Sequence, residues 1–295
     1  MRELLIAEWQ KMTGNRWLAG FLIWIYPVGA VATVLVMSLI ALVSDSFAEF
    51  IRQDPGLWTE QVVGALGLPT NAFGRILLIG FAVVVFAGEY QWGTWKNTVP
   101  RSTRTKLIFS KFITLLVLVS VACILFALIW GLGRGLMVKI AGAEYGPALT
   151  GAVLRDFLGD FAGRYLLVMV TVFISASLAA LVAMVTRSIM AGLMFGVGLA
   201  IAEPIAFIGL TLTASVLKAP WILHLGRALP YYHFDNAVSW IVNEAPSSLT
   251  SFALTLGPEY AFQDSLTVSL VVLVSWAIIL PALIIYLFQR QDITS

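Results

Sequence analysis

Charge is scarce in this chain. Only 12% of its 295 residues are Asp, Glu, Lys or Arg, against roughly 25% in an average soluble domain. Sixty per cent are apolar and the mean hydropathy is +0.92, so no soluble domain of useful size is left once the long apolar runs are set aside. A net charge of +2 gives no basis for nucleic acid as a partner. Cysteine is nearly absent: Cys123, alone in an apolar run, excludes an internal disulfide and a cysteine metal site and reads as a small core residue. Histidine is limited to His224 and His233, with no His-Glu-x-x-His run and no serine-triad motif. No stretch fits Gly-x-x-x-x-Gly-Lys-Ser/Thr, so the chain lacks the phosphate cradle that nucleotide hydrolysis requires.

What is present is a set of apolar runs long enough to cross a bilayer. Residues 1–16 place Leu5, Trp9 and Met12 on one helical face and Arg2, Glu3, Glu8 and Lys11 elsewhere, which predicts an amphipathic interfacial helix. The next run is too long for a signal peptide and reads as a first span over 17–43, kinked or tilted at Pro27. Further spans are expected over 72–87, 107–130, 164–185, 189–217 and 266–288. Loops are expected at 44–71, 88–106, 131–163 and 218–265, the last holding short re-entrant or interfacial helices. The predicted fold is thus all-α, a single polytopic transmembrane domain of six helices over 1–295. Ten of the 18 Lys and Arg residues fall in the termini, in 88–111 and in the turn at 187, about 50 residues in all, and eight in about 120 residues of the other loops, which puts both termini in the cytoplasm. A multi-pass protein of a bacterial inner or plasma membrane is expected.

Small residues recur every fourth position at Ser175, Ala179 and Ala183 and again at Gly192, Gly196 and Ala200. That spacing brings helix backbones close, within the chain as the favoured reading or between two chains. Glu203 and Pro204 fall in the middle of the fifth span. An ionisable residue at that depth marks a substrate path or the tip of a broken helix. His224, His233 and Asp235 match no familiar metal spacing, so no metal site is expected.

The most basic stretch runs from Gly88 to Lys111, with Lys96, Arg101, Arg104, Lys106 and Lys111 against one acid, Glu89. Glu89, Gly93-Thr94, Pro100-Arg101-Ser102-Thr103-Arg104 and Lys111 occur in order between two spans. This pattern resembles the first cytoplasmic loop of permeases of the type-2 exporter family of ATP-binding-cassette transporters. The amino-terminal helix with Glu8 and Lys11, the six-span layout and Leu229-Pro230 resemble that family more loosely. The resemblance implies a coupling helix that docks in a separate ATPase subunit, with Glu89, Tyr90, Trp92, Gly93, Thr94, Trp95, Lys96, Pro100, Arg101 and Arg104 as its contact residues. It implies ATP and Mg in that partner and no cofactor in this chain. It also implies a second permease chain, as homodimer or heterodimer, with six spans forming half of a substrate pathway. Tyr90, Trp92 and Trp95 are apolar anchors of the kind that dominate interfaces, and the basic residues suit acidic groups or lipid phosphates. Two other readings stay open on the sequence: a membrane enzyme with a site near Glu203, His224, His233 and Asp235, and a scaffold that recruits a partner through the same loop and moves nothing.

Overall fold

In a bilayer every backbone donor and acceptor must be satisfied within the chain, so apolar runs of this length become helices. The computed structural model describes residues 1–15, 19–243 and 247–291, in which no strand is found. Arg16 and Trp17, where the interfacial helix and first span were expected to meet, lie outside the described residues, as do Pro246 and Asp292. Helix α1 covers Arg2–Gly14. The first span, α2, runs over Gly20–Val43 and opens with a π turn at Gly20–Trp24. That register shift lies immediately before Pro27, which has no N–H to give, and the helix passes the proline without a break. Two short helices follow, α3 (Asp45–Gln53) and α4 (Trp58–Ala65). The second span, α5, covers Ala72–Gln91, and after a single-turn α6 (Trp95–Thr98) the third, α7, covers Arg104–Ile140. The stretch expected as a loop from 88 to 106 is therefore helical at both ends, and the turn itself is 92–103.

Helix α8 covers Gly151–Thr186, α9 Ile189–Val216 and the last span, α12, Leu266–Arg290. Between α9 and α12 lie α10 (Pro230–Val238) and α11 (Ser248–Leu254), with 3-10 turns at Pro220–Ala228 and Pro258–Tyr260. Pro220, Pro230 and Pro258 each open one of these pieces, where a missing N–H costs nothing.

The loop expected over 131–163 needs correction. Helices α7 and α8 continue through most of it, leaving only residues 141–150 as connection. Arg134, Lys139, Arg155, Asp156 and Asp160 lower the hydropathy of that window but are compatible with helix, and the one proline in it, Pro147 after Gly146, falls within the short connection. At about 55 Å, α7 is far longer than the roughly 30 Å hydrocarbon layer, so its charged end stands outside the bilayer. There α3 and α4 buttress the tip. Arg52 reaches the Ala141 carbonyl at 2.5 Å, Arg134 the Asp54 carbonyl at 2.7 Å, and Trp58 Nε1 the Pro147 carbonyl at 2.8 Å.

The core centres on α5, flanked by α8 and α9. On α9 the buried stripe Gly192, Gly196, Ala200 and Glu203 faces it. A Cβ on Gly192 would stand 2.7 Å from Val83, and one on Gly196 would stand 2.1 Å from Ile79. Glu203 meets Arg75. The register is antiparallel, and only glycine permits this approach. Ser175, Ala179 and Ala183 are likewise buried on α8. The small residues thus pack within the chain.

Candidate functional site

The turn 92–103 begins where α5 ends. Gly93 adopts a left-handed φ of +64°, and a Cβ placed on it would meet nothing within 4 Å, so it is the backbone angle that favours glycine here. Thr94 N–H then bonds back to the Glu89 carbonyl at 3.0 Å and Gly93 N–H to that of Tyr90 at 3.2 Å, closing the helix end. The Thr94 hydroxyl donates to the Glu89 carboxylate. The Gly-Thr pair therefore stops the helix and fixes the carboxylate at its end.

Four charges converge on that point. Lys111 Nζ, in the buried part of α7, lies 2.7 Å from Glu89 and 2.9 Å from Glu8. Lys11 Nζ lies 3.0 Å from Glu89 and 3.2 Å from Glu8. Two acids and two bases thus balance across α1, α5 and α7. Glu8, Glu89 and Lys111 are buried, while the Lys11 side chain is partly exposed. Burial works against the Lys11 charge, but Glu8 and Glu89 more than offset it and hold its pKa above the usual lysine value. Removing one member of such a cluster leaves an uncompensated buried charge, at a cost of about 3–5 kcal/mol.

A second set of contacts ties the turn to the far end of the chain. Trp95 packs on Phe288 at a ring-centroid distance of 4.6 Å and on Tyr90 at 5.8 Å, with the Lys111 ammonium 5.4 Å from its own ring. Arg104 donates to the Phe288, Gln289 and Gln291 carbonyls, capping α12. The Tyr90 hydroxyl donates to the Gln291 side chain, which in turn reaches the Met184 carbonyl at 3.0 Å. Residues at both described ends of the chain and the turn 187–188 therefore meet at one end of the bundle.

This geometry divides the residues expected to contact an ATPase. Trp95, 2% exposed, is corrected from a surface anchor to a core residue, because the turn directs it onto α12. Glu89, Thr94, Tyr90 and Arg104 are likewise occupied with this chain's own groups. Trp92, 62% exposed, together with Gly93, Lys96 and Pro100, forms the open face. The Arg101 side chain lies outside what the structure describes.

The intramembrane residues resolve differently. Helix α9 runs unbroken through Pro204, so the broken-helix expectation for Glu203 is not met. Its carboxylate accepts from Arg75 Nη1 at 2.7 Å, and Arg75 Nε donates to Ser175 Oγ at 3.1 Å. Nothing in the sequence around Arg75 marks it as a partner; only the register of α5 against α9 reveals its role. His224, His233 and Asp235 do not converge: no metal-holding group of three is found among the described residues. His233 lies between Ser269 Oγ at 3.0 Å and the Arg227 carbonyl at 2.6 Å, Asp235 accepts from Ser248 at 2.8 Å, and the His224 ring packs on Phe262 at 5.5 Å.

No curated protein matches the chain. A family model described as ABC-2 family transporter protein matches residues 4–203, from α1 through the charge cluster to Glu203. With two thirds of its length covered by that match and six apolar helices long enough to span a membrane, the chain belongs to the ABC-2 transporter family, as a multi-pass membrane protein of the permease type.

Proposed function

We propose that the chain is the permease subunit of an ATP-binding-cassette exporter, coupled to a separate ATPase through the turn 92–103. The observation that carries this reading is the cluster of Glu8, Lys11, Glu89 and Lys111. It joins the turn rigidly to α1, α5 and α7, so a push on the exposed face of Trp92, Lys96 and Pro100 is delivered to two spans and an interfacial helix together. An ATPase that contacts this face differently in its nucleotide-bound and nucleotide-free states then biases the permease between two arrangements. ATP and Mg belong to that partner. The turn and both termini lie on the cytoplasmic side, and a second permease chain, identical or related, completes the pathway against apolar faces such as that of α2, where Phe21, Val28, Leu35 and Leu39 are open.

Co-expression with a candidate ATPase tests the reading. Replacing Trp92 and Lys96 with alanine is expected to abolish co-purification and membrane ATPase activity while leaving the permease folded. A variant that binds and stimulates the ATPase as well as the native chain would sink the proposal.

A further inference from the structure

A cavity of about 540 Å3 opens at the other end of the bundle, bounded by α4, α7, α8 and α10. About 33 Å of helix separates Arg164 in its wall from Thr186 at the charge-cluster end of α8. The cavity therefore stands one hydrocarbon thickness from the turn 92–103, at the depth of lipid headgroups. Its size is that of a small-molecule site, and its wall is mixed. Phe126 and Trp130 stack at 6.4 Å with planes 9° apart, and Tyr231 and Phe234 enter from α10.

Arg164 is the unusual member. Its guanidinium carbon lies 5.4 Å from the centroid of the Phe234 ring, and its Nε is buried without a hydrogen-bond partner. It forms no hydrogen bond or ion pair with any described residue. Arg75, Arg104 and Arg227, by contrast, each meet a carboxylate or a set of carbonyls. A guanidinium offers five donors and no acceptor, and in a half-enclosed aromatic site these are matched by a planar or tetrahedral oxyanion. Asp235 lines the same cavity and acts on Arg164 through space. Its oxygens are engaged by Ser248 Oγ at 2.8 Å and Leu249 N–H at 3.3 Å, so it does not take up the guanidinium donors. Glu60 stands exposed at the rim, and an adjoining hollow that shares Glu60 and Gly64 adds Asp160. Inside, the unpaired guanidinium of Arg164 lies near the hydrogen-bonded carboxylate of Asp235, and Glu60 and Asp160 add two acids toward the mouth.

We infer that this cavity binds the headgroup of a zwitterionic phospholipid, with the phosphate on Arg164, the ammonium toward Glu60 and Asp160, and apolar carbons against Phe126 and Trp130. The inference goes beyond the coupling proposal and needs no ATPase, so the two fail separately.

The full chain in detergent, analysed by native mass spectrometry after addition of dioleoylphosphatidylethanolamine, tests it. R164Q is expected to lose about ten- to a hundredfold in lipid retention, the range for a lost charge-assisted hydrogen bond, and R164K to keep part of it. Gly64 lines the cavity and has nothing within 4 Å of a Cβ position, so a side chain can leave the backbone there without a clash, and G64L should also weaken retention. Dioleoylglycerol, which lacks the phosphate, is expected not to be held, and dioleoylphosphatidylglycerol, which lacks the ammonium, to be held less well. Unchanged retention by R164Q, or by G64L should R164Q fail to fold, overturns the inference. So does equal retention of dioleoylglycerol, tighter retention of dioleoylphosphatidylglycerol, or displacement of the lipid by inorganic phosphate alone.

Discussion

Arg75 and Glu203 pair at 2.7 Å with both side chains almost fully buried, one on α5 and the other on α9. Ser175 on α8 accepts a further hydrogen bond from the same guanidinium, so three spans are pinned at one depth. Truncating Glu203 leaves Arg75 charged and unmatched in an apolar interior. E203A is expected to destabilise the chain by about 3–5 kcal/mol, whereas R75M/E203L, which removes both charges, recovers most of that loss. Thermal unfolding in detergent measures both. An E203A protein as stable as the native chain would remove the pair from any structural account of the bundle.

The charge cluster makes a related prediction with a local readout. K111M strands the Glu8 and Glu89 carboxylates, which lie 2.9 and 2.7 Å from the native ammonium, against an apolar side chain. Lys11, its side chain 42% exposed, carries one charge and so neutralises one of them and not both. Helix α1 should therefore detach: hydrogen exchange of residues 2–14 rises by about two orders of magnitude if about 3 kcal/mol of docking energy is lost. Exchange in the middle of α7 should change little. Protection of α1 that survives K111M would show that Met12 and its apolar neighbours hold the helix without the cluster.

Much of this was legible in the sequence, and the remainder had physical reasons to be hidden. Six spans follow from run length alone, because an apolar segment in lipid has few options besides helix. Gly93-Thr94 stood out only as part of the motif that carries the family resemblance; that Gly93 ends α5 with a left-handed backbone is seen only in the structure. The extensions of α7 and α8 were not, since Arg134, Lys139 and Arg155 lower hydropathy without opposing helix formation. Nor does sequence distinguish Trp92 from Trp95: the chain reverses at Gly93 between them, and only the turn's direction sends one ring to Phe288 and the other outward. Lys111 with Glu8, and Arg75 with Glu203, are pairs 103 and 128 positions apart, beyond the reach of any local pattern.

The two tryptophans should accordingly separate by phenotype. W92A removes an exposed ring and is expected to change thermal stability by less than about 0.5 kcal/mol, while ATPase co-purification falls. W95A empties a fully buried site against Phe288 and Tyr90 and should cost about 3–5 kcal/mol. Any loss of ATPase binding by W95A would then follow from unfolding of the turn, visible as lost protection in 92–103. Equal effects of W92A and W95A on stability would contradict the inward and outward assignment of the two rings.

Acidification should loosen the segment before the last span. The neutral ring fits the hydrogen bonds at His233: Nε2 faces the Arg227 carbonyl and so carries the proton. Nδ1 accepts from Ser269 Oγ, which itself accepts from Asn236 at 2.8 Å. Burial is the largest influence and pushes the His233 pKa below its ordinary value of 6.5; the Arg227 carbonyl and the Asp264 charge oppose that shift, and the Arg227 charge adds to it. With the folded value depressed, the unfolded chain binds the proton more readily. Stability from the neutral ring is complete above pH 6.5 and is lost as pH falls toward the folded value. The unfolding temperature of the native chain should drop as pH falls below about 6.5, and H233Q, which has no proton to gain, should show a smaller drop over the same range. Differential scanning in detergent at matched ionic strength checks this. Identical pH profiles for the two proteins would mean that His233 does not contribute to acid sensitivity.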